Sequence, residues 1–528
     1  MKPAFLLDAR TESVVLQVPD PLALRDLFPH SKTLAHPQWN FAVQHTIETT
    51  RILANVGIKV PAPIRCQYQW TGRYKPYEHQ IEMAEFLTMH RRCFNLSEMG
   101  TMKTNASLWA ADWLMKTGRV RKALIVSPLS TLSSVWANDI FDTLPHRQAA
   151  IVHGPVARRL KYLGIECDFF ILNHDGLKIK DVAEAIAKDP TIDLVIVDEA
   201  GMFRNPGSGK YKALARLLQR RPDMRLWLMT GTPCPNAPTD AWGLARLVDP
   251  SRVPPYAGAF QRDTMVKVSQ FKWVPRVDAF AKAYEAMQPA IRYKKKDCIS
   301  LPPVTTRDIS AGLTKAQAAV VKQLKDHMVA VGHNGSQITA ANAADQINKM
   351  RQVLCGALKD PATGRYHPLP HEPRLQALKE TIDQASAKVL VIVPFKGIIR
   401  LLEEELTADG RSCAVVNGDV TLAKRTEIFK AFKTQSDPHI LLCHPKVMAH
   451  GLNLTEADML IFYAPIYSND EVEQVNERFN RAGQTRKMTI VRLGAHPLEW
   501  AIYKLNDVRA AGQNSILELY DAVRDDTY

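Results

Sequence analysis

Leu194-Val195-Ile196-Val197-Asp198-Glu199-Ala200 is the stretch on which the fold turns. Four apolar residues run without interruption into two carboxylates. A short apolar run closed by polar residues reads as a strand of a parallel sheet covered on both faces. A buried strand therefore ends in an acidic pair. Asp198 is placed to hold Mg2+, directly or through water, and Glu199 to orient and deprotonate an attacking water.

Upstream lies Ser97-Glu98-Met99-Gly100-Thr101-Met102-Lys103-Thr104, after an apolar stretch and before an amphipathic helical pattern. A loop at a helix N-terminus presents backbone N–H groups to phosphate oxygens. Gly100, Thr101 and Met102 belong to that loop. Lys103 reaches the β- and γ-phosphates, and the Thr104 hydroxyl ligates Mg2+. Met102 stands where a glycine normally precedes the lysine. Its side chain either crowds the phosphates or demands an unusual loop conformation. Loop and acidic pair come in the order and at the separation of a nucleotide-binding α/β fold, so ATP and Mg2+ are the expected cofactors.

Similar runs extend in both directions: Ala123–Val126, Phe169–Leu172 and Leu226–Met229, then Val389–Val393, Ala414–Val416, Ile440–Leu442, Met459–Tyr463 and Met488–Val491. The expected architecture is α/β, with two similar parallel-sheet lobes. A helical insertion joins them, with helices around Val277–Ala290 and Lys315–Val331. Residues 1–70 form a small accessory module. In it Leu6–Leu7 and Val14–Val18 read as strands, and Phe41, Val43, Ile47, Ile52 and Leu53 as the buried side of a helix. Pro61 and Pro63 mark its end. The expected limits are 1–70 for the module, 71–255 for lobe 1, 256–370 for the inter-lobe region and 371–528 for lobe 2.

The 528 residues carry 68 Lys plus Arg against 54 Asp plus Glu, a net charge of +14, which favours a polyanionic partner. The basic run Arg292…Lys294-Lys295-Lys296 makes Lys295 and Lys296 candidate nucleic-acid contacts. The eight cysteines are scattered with no CxxC spacing, which argues against a zinc site or a disulfide framework. No segment reaches the length of a membrane span, so the expected location is the cytoplasm of a bacterium or a phage-infected host.

A phosphate-transfer site of this kind needs positive charge from a second element. The candidate is Gln474-Val475-Asn476-Glu477-Arg478-Phe479-Asn480-Arg481-Ala482-Gly483-Gln484. On a helix, positions 474, 478 and 481 share one face. Arg481 is the expected arginine finger. Arg478 is a second phosphate or inter-lobe contact, and Gln474 points with them.

Taken together, these segments resemble the Swi/Snf-type ATPases of helicase superfamily two over residues 72–520. Tyr77-Glu78-His79-Gln80 resembles the adenine-reading Q motif, which implies that Gln80 bonds the adenine edge. Ser127-Pro128-Leu129-Ser130-Thr131-Leu132 with Trp136 resembles the family's Pro-Leu-Ser-Thr-Leu-x-x-Trp segment. The resemblance implies nucleic-acid contact by Ser127, Pro128, Ser130 and Thr131, and by Asn173 and His174 in the next such segment. Leu228-Met229-Thr230-Gly231-Thr232-Pro233 resembles the Leu-Thr-Gly-Thr-Pro motif, which implies that Thr230 and Thr232 couple the nucleotide to the other lobe. Pro394-Phe395 resembles the opening of the second lobe. Gly451-Leu452-Asn453-Leu454-Thr455 resembles the Gly-x-Asn-Leu-Thr motif, with Gly451 allowing close backbone approach and Asn453 reaching nucleic acid. Glu499-Trp500…Tyr503…Leu505 resembles the family's C-terminal brace helix.

Two departures stand out besides Met102. Gly201 replaces the histidine that links the acidic box to the Thr-Gly-Thr motif, and Met448-Ala449-His450 replaces a glycine-rich run. The short inter-lobe region resembles compact, bacteriophage-like members. The function implied is an ATP-driven translocase on duplex or branched DNA, acting alongside replication or recombination proteins. A monomer suffices for this, since both halves lie in one chain. The alternatives are a strand-separating helicase of another superfamily-two branch and a nucleotide-binding scaffold with little turnover.

Overall fold

The computed structural model describes residues 5–8, 10–234, 237–269, 273–298, 302–327, 329–331, 337–339, 343–360, 364, 366–448, 454–481 and 484–510. The chain separates into two compact units, the first taking in residues 1–298 and the second residues 299–512.

The first unit is built on a seven-stranded sheet, in the order Ala290–Ile291, Arg92–Asn95, Arg225–Met229, Ile192–Val197, Lys122–Ser127, Phe169–Asn173 and Ala149–Val152. Every neighbouring pair in it is parallel. The apolar runs are continuous because both faces are covered. Leu124, Val126, Val195, Val197, Leu226 and Leu228 fill one core. Ala123, Ile125, Leu194, Ile196, Trp227 and Met229 fill the other. Each large apolar side chain so buried contributes roughly 1.5–3 kcal/mol.

The second unit repeats the plan with six parallel strands, in the order Val304–Ser310, Met488–Gly494, Ala457–Phe462, Lys388–Ile392, Ile440–Cys443 and Cys413–Val416. Its cores again divide by alternation. Val389, Val391, Leu442 and Ile461 face one way. Leu390, Ile392, Leu441 and Phe462 face the other. The protein is thus α/β, with two RecA-like sheets flanked by helices.

Several local expectations are corrected. Phe41–Gln44 is not helical. It is a strand antiparallel to Ser13–Leu16 in a four-stranded sheet, and the helix begins at Ile47. Phe41 and Val43 are buried at a period of two while Ala42 and Gln44 turn the other way, and a strand uses that period. The helix expected over Val277–Ala290 spans Ala279–Ala286, and Ala290 joins the first sheet. The helix expected over Lys315–Val331 ends at His327, with Val329–Val331 a strand paired to Gln337–Thr339. Residues 256–298 lie in the first unit, whereas the helices Lys315–His327 and Ala343–Leu354 form a small core in the second.

The segment that follows the N-terminal sheet is tied to the rest of the first unit by polar contacts. Arg119 donates to both oxygens of Glu48 at 2.7 Å, Arg65 pairs with Glu78 and Glu85, and the Tyr68 hydroxyl donates to buried Asp112 at 2.6 Å. In the second unit, helix 497–510 docks on the strand Met488–Gly494. Trp500 covers Gly494, and the Tyr503 hydroxyl donates to the Leu493 carbonyl.

The pin of that docking is a fully buried ion pair, Arg374 Nη2 to Glu499 Oε1 at 2.7 Å. Arg374 also donates to the Leu354 carbonyl, and Glu499 accepts from the Ala495 N–H. Removing one partner strands the other charge in the interior. Glu499→Ala is therefore expected to cost about 3–5 kcal/mol in denaturant unfolding. A loss under about 1 kcal/mol contradicts the role assigned to the pair.

Candidate active site

Parallel register brings the strand ends together on one edge of the first sheet. Asn95 pairs with Met229, Leu228 and Val126 each pair with Val197, and Ser127 pairs with Asn173. The segments that follow those residues are the ones singled out above: 97–104, 128–131, 174–175, 198–200 and 230–234.

The loop expected to hold phosphate precedes the helix Lys103–Lys116. Met102, the residue before that helix, has φ +57° and ψ +36°, a left-handed conformation suited to glycine. The unusual loop conformation expected of a non-glycine residue is the one present. Glu199 is left-handed too, at φ +49°. Among the described residues only Glu12, Met102 and Glu199 adopt positive φ without being glycine. Two of the three fall in the candidate site, where stored backbone strain tends to collect.

Side chains lace the loop internally. Lys103 Nζ donates to the Ser97 carbonyl at 3.0 Å, and Thr101 Oγ1 donates to the Glu98 carbonyl at 2.8 Å. Gln80 is buried. Its Oε1 accepts from the Tyr77 N–H, closing the cap of helix Glu78–Met89, and its Nε2 donates to the Met102 carbonyl. Gln80, expected at the adenine edge, thus also anchors the phosphate loop. Thr104 is partly exposed on the first turn of the helix.

Asp198 is held from three sides. Its Oδ1 accepts the Glu199 N–H at 3.0 Å, and its Oδ2 accepts the indole N–H of fully buried Trp136 at 3.1 Å. Its carbonyl accepts His174 Nε2 at 2.8 Å. Trp136 belongs to a wide π-type turn, Leu132–Ala137, that continues directly from the 128–131 loop. Extra-wide turns of this kind recur at functional sites. Sequence reasoning missed this bond, because the two partners lie 62 residues apart.

Of the residues expected at nucleic acid, most point inward. Ser127 and Thr131 are buried, with Thr131 Oγ1 donating to the Pro128 carbonyl. Asn173 is buried and accepts from Arg159. His174 is buried against Phe203. Pro128 is partly exposed and Leu129 exposed, while Ser130 lies in the short turn Leu129–Thr131. Lys296 is exposed, but Lys295 is buried beside Gly100.

Thr230 and Thr232, the residues expected to couple the lobes, sit against the acidic box. Thr230 Oγ1 accepts the Thr232 N–H. A Cβ on Gly201 would stand 3.6 Å from Thr230 Oγ1 and 3.4 Å from the Thr232 carbonyl. With glycine at 201, backbone packs directly on the Thr-Gly-Thr turn where the family has a histidine.

In the second unit the helix carrying Gln474 and Arg478 is Asn469–Phe479. Asn480 leaves helical geometry at ψ 88°, so Arg481 stands beyond the helix. The single helical face expected for 474, 478 and 481 holds for the first two only. Arg478 is buried and donates to the Met448 carbonyl at 3.3 Å, while Gln474 and Arg481 are partly exposed. Pro394 is partly exposed. Phe395 is buried under the Arg351 guanidinium at the head of helix Lys396–Ala408. Gly451 and Asn453 lie outside the described residues.

Comparison with known proteins accords with this arrangement. An SNF2-related domain is matched over residues 79–358 and a helicase conserved C-terminal domain over residues 373–483. The chain belongs to the SNF2-related family of helicase-type ATPases. A putative protein of Acyrthosiphon pisum secondary endosymbiont phage 1 is 24% identical over 84% of this chain and 98% of its own length. An uncharacterized ATP-dependent helicase of Mycoplasma genitalium is 25% identical over 75% of this chain and 37% of its own. The ISWI chromatin-remodeling complex ATPase of Saccharomyces cerevisiae is 22% identical over 80% of this chain and 38% of its own. The chain therefore spans less than two fifths of those last two relatives. Among solved structures, a Sulfolobus solfataricus SWI2/SNF2 ATPase core in complex with dsDNA aligns over 84% of this chain and 93% of that one, at 18% identity and a TM-score of 0.40.

Burial pushes the His174 imidazole down to about 4 from its ordinary 6.5, so it stays neutral and donates to Asp198. An unfolded chain takes up that proton near pH 6.5 and the folded one does not. The stabilising contribution is complete above pH 6.5 and is lost as pH falls from there toward 4. Thermal midpoints measured from pH 7 to pH 4 should drop, and His174→Gln should flatten the drop. An equally steep fall in the variant contradicts this assignment.

Proposed function

We propose that the chain is an ATP-driven translocase on duplex or branched DNA, remodelling forks or junctions or displacing bound protein. The observation that carries this reading is the bond between Trp136 and Asp198. It joins the loop expected to track a nucleic-acid backbone to the carboxylate expected to manage the nucleotide. A shift of the 128–131 loop on DNA is transmitted along one turn to the acidic box.

In this reading Lys103 and the loop N–H groups hold the ATP phosphates. Glu199 accepts the proton of the attacking water. Arg481, with Arg478 and Gln474, stabilises charge on the transferring group. Thr230 and Thr232 relay the state of the nucleotide. The contacts to DNA come from the exposed parts of 128–131 and from Lys296, with Pro394 and Asn453 in the second lobe. The net charge of +14 supports a polyanionic partner. The residues also fit Mg2+. Thr104 and Asp198 offer hard oxygen donors, and the Asp198 oxygens are oriented by N–H groups from outside the ligand set. Bound there, Mg2+ would neutralise phosphate charge.

Among the described residues no helix is long and apolar enough to cross a membrane. We place the protein in the cytoplasm, working as a monomer, with functional divisions at 1–70, 71–255, 256–370 and 371–528, the third of which runs across the boundary of the two compact units at 298/299.

Steady-state ATP hydrolysis with and without duplex DNA tests the reading. Turnover should rise with DNA. Lys103→Ala, Asp198→Ala and Arg481→Ala should abolish the stimulated rate without unfolding the chain. Glu199→Gln should lower it about a hundredfold or more. Wild-type turnover that ignores DNA and equals that of Glu199→Gln would mark the chain as a nucleotide-binding scaffold.

A further inference from the structure

The turn that feeds the arginine-bearing helix of the second unit is held by side chains from elsewhere in that unit. It leaves the strand Ala457–Phe462 and enters the helix Asn469–Phe479, which Ser468 caps by accepting the Glu471 N–H. Three consecutive carbonyls of the turn are occupied. Pro465 accepts from Arg351 Nη2, Ile466 from Asn506 Nδ2 at 2.6 Å, and Tyr467 from Arg509 Nη1 at 2.9 Å. The Tyr503 hydroxyl donates to the Phe462 carbonyl at the strand end, 3.3 Å away. Carbonyls that leave regular structure need partners of this kind. Here they come from two elements, the helix Ala343–Leu354 and helix 497–510.

Arg351 grips the turn twice. It is 6% exposed, and its guanidinium lies 5.2 Å from the ring centroid of Phe395 and 5.3 Å from that of Tyr467. Both distances are within the range at which a cation is drawn to a ring face. One contact fixes the Pro465 carbonyl, and the other fixes the ring two residues before the helix. A rigid helix turns a small error at its start into a larger one at its end. Asn469–Phe479 has 11 residues and a length of about 16 Å. A tilt of about 4° at the turn displaces the far end by about 1 Å. Misplacement on that scale costs about a hundredfold in rate where reacting groups must align. Arg478 lies at that far end, and Arg481 follows it.

We propose that Arg351 is a positioning residue for the arginine-bearing segment, setting through Pro465 and Tyr467 where Arg481 meets the transferring phosphoryl group. The inference rests on the reading of Arg481 given above and adds a residue from outside the motifs which that reading used. The same guanidinium touches Phe395, the neighbour of Pro394, so the finger segment and an expected DNA contact share one side chain.

The test uses the full chain, measuring DNA-stimulated ATP hydrolysis and affinity for ADP and Mg2+ with and without aluminium fluoride. Arg351→Met keeps the aliphatic stem and removes the donors and the charge, while Arg351→Lys keeps a cation. Arg351→Met should lower kcat about tenfold or more and leave KM for ATP within about twofold. It should bind ADP as the wild type does and lose about tenfold or more of the added affinity for the aluminium fluoride complex. Arg351→Lys should recover part of both losses. Tyr467→Leu removes a ring that is 42% exposed and should lose in the same direction by a smaller factor. That variant supplies the comparison if Arg351→Met does not fold. A lowered thermal midpoint with kcat and analogue affinity unchanged makes Arg351 structural only and overturns the inference. Equal losses of ADP and analogue affinity overturn it too, because they place the effect at the nucleotide cradle. Arg481→Ala separates this failure from that of the underlying reading. If Arg481→Ala loses the analogue gain while Arg351→Met keeps it, the finger reading stands and the inference falls. If Arg481→Ala keeps the gain, both fall.

Discussion

Parallel pairing is the constraint on which both units depend. A parallel sheet aligns the carboxyl ends of its strands, and each crossover must return through a helix on one face or the other. The loops leaving those ends are thus gathered on one edge without any contact among themselves to bring them there. Chemistry that needs a phosphate loop, an acidic pair and a polar turn within reach of each other comes at little extra cost. The alternating split of Leu124 and Ile125, or Val195 and Ile196, onto opposite cores keeps that edge in register. A one-residue slip would turn each of these side chains to the other face.

The apolar runs were legible because strands buried on both faces carry no polar alternation to obscure them. Lys122–Ser127 and Ile192–Val197 are of that kind, and the acidic pair at 198–199 marks a strand end by itself. Of the edge strands of the two large sheets, only Cys413–Val416 was legible. Val304–Ser310 is largely exposed and reads Val-Thr-Thr-Arg-Asp-Ile-Ser, which offers no apolar run. Ala290–Ile291 is too short to announce itself, although it sets the position of Lys295. The helical face drawn through 474, 478 and 481 assumed that the helix outlasts Asn480. Spacing alone does not show where a helix stops. Burial was the other blind spot. Thr131, Asn173, His174 and Lys295 are polar residues in loop-like sequence, yet each is turned inward by a partner distant in the chain or by close packing.

The departures from the family pattern have local accounts. Met102 accepts a left-handed conformation, at roughly 1 kcal/mol or more. Its carbonyl is held by Gln80, so the surrounding hydrogen bonds fix what the residue alone would avoid. Gly201 lets the acidic box rest directly on Thr230 and Thr232. Gly243 answers a similar demand. A Cβ there would meet the Arg204 carbonyl oxygen at 2.2 Å, so the helix Ala241–Val248 approaches the turn after the acidic box only through glycine.

The proposed function requires that Lys103 and Arg481 act on one triphosphate. Affinity for ADP with aluminium fluoride and Mg2+, which mimics the transferring phosphoryl group, measures this directly. The wild-type chain should bind one such complex per molecule about a hundredfold more tightly than ADP alone. Arg481→Ala should bind ADP normally and lose that gain. An Arg481→Ala chain that holds the analogue as tightly as the wild type would contradict the claim.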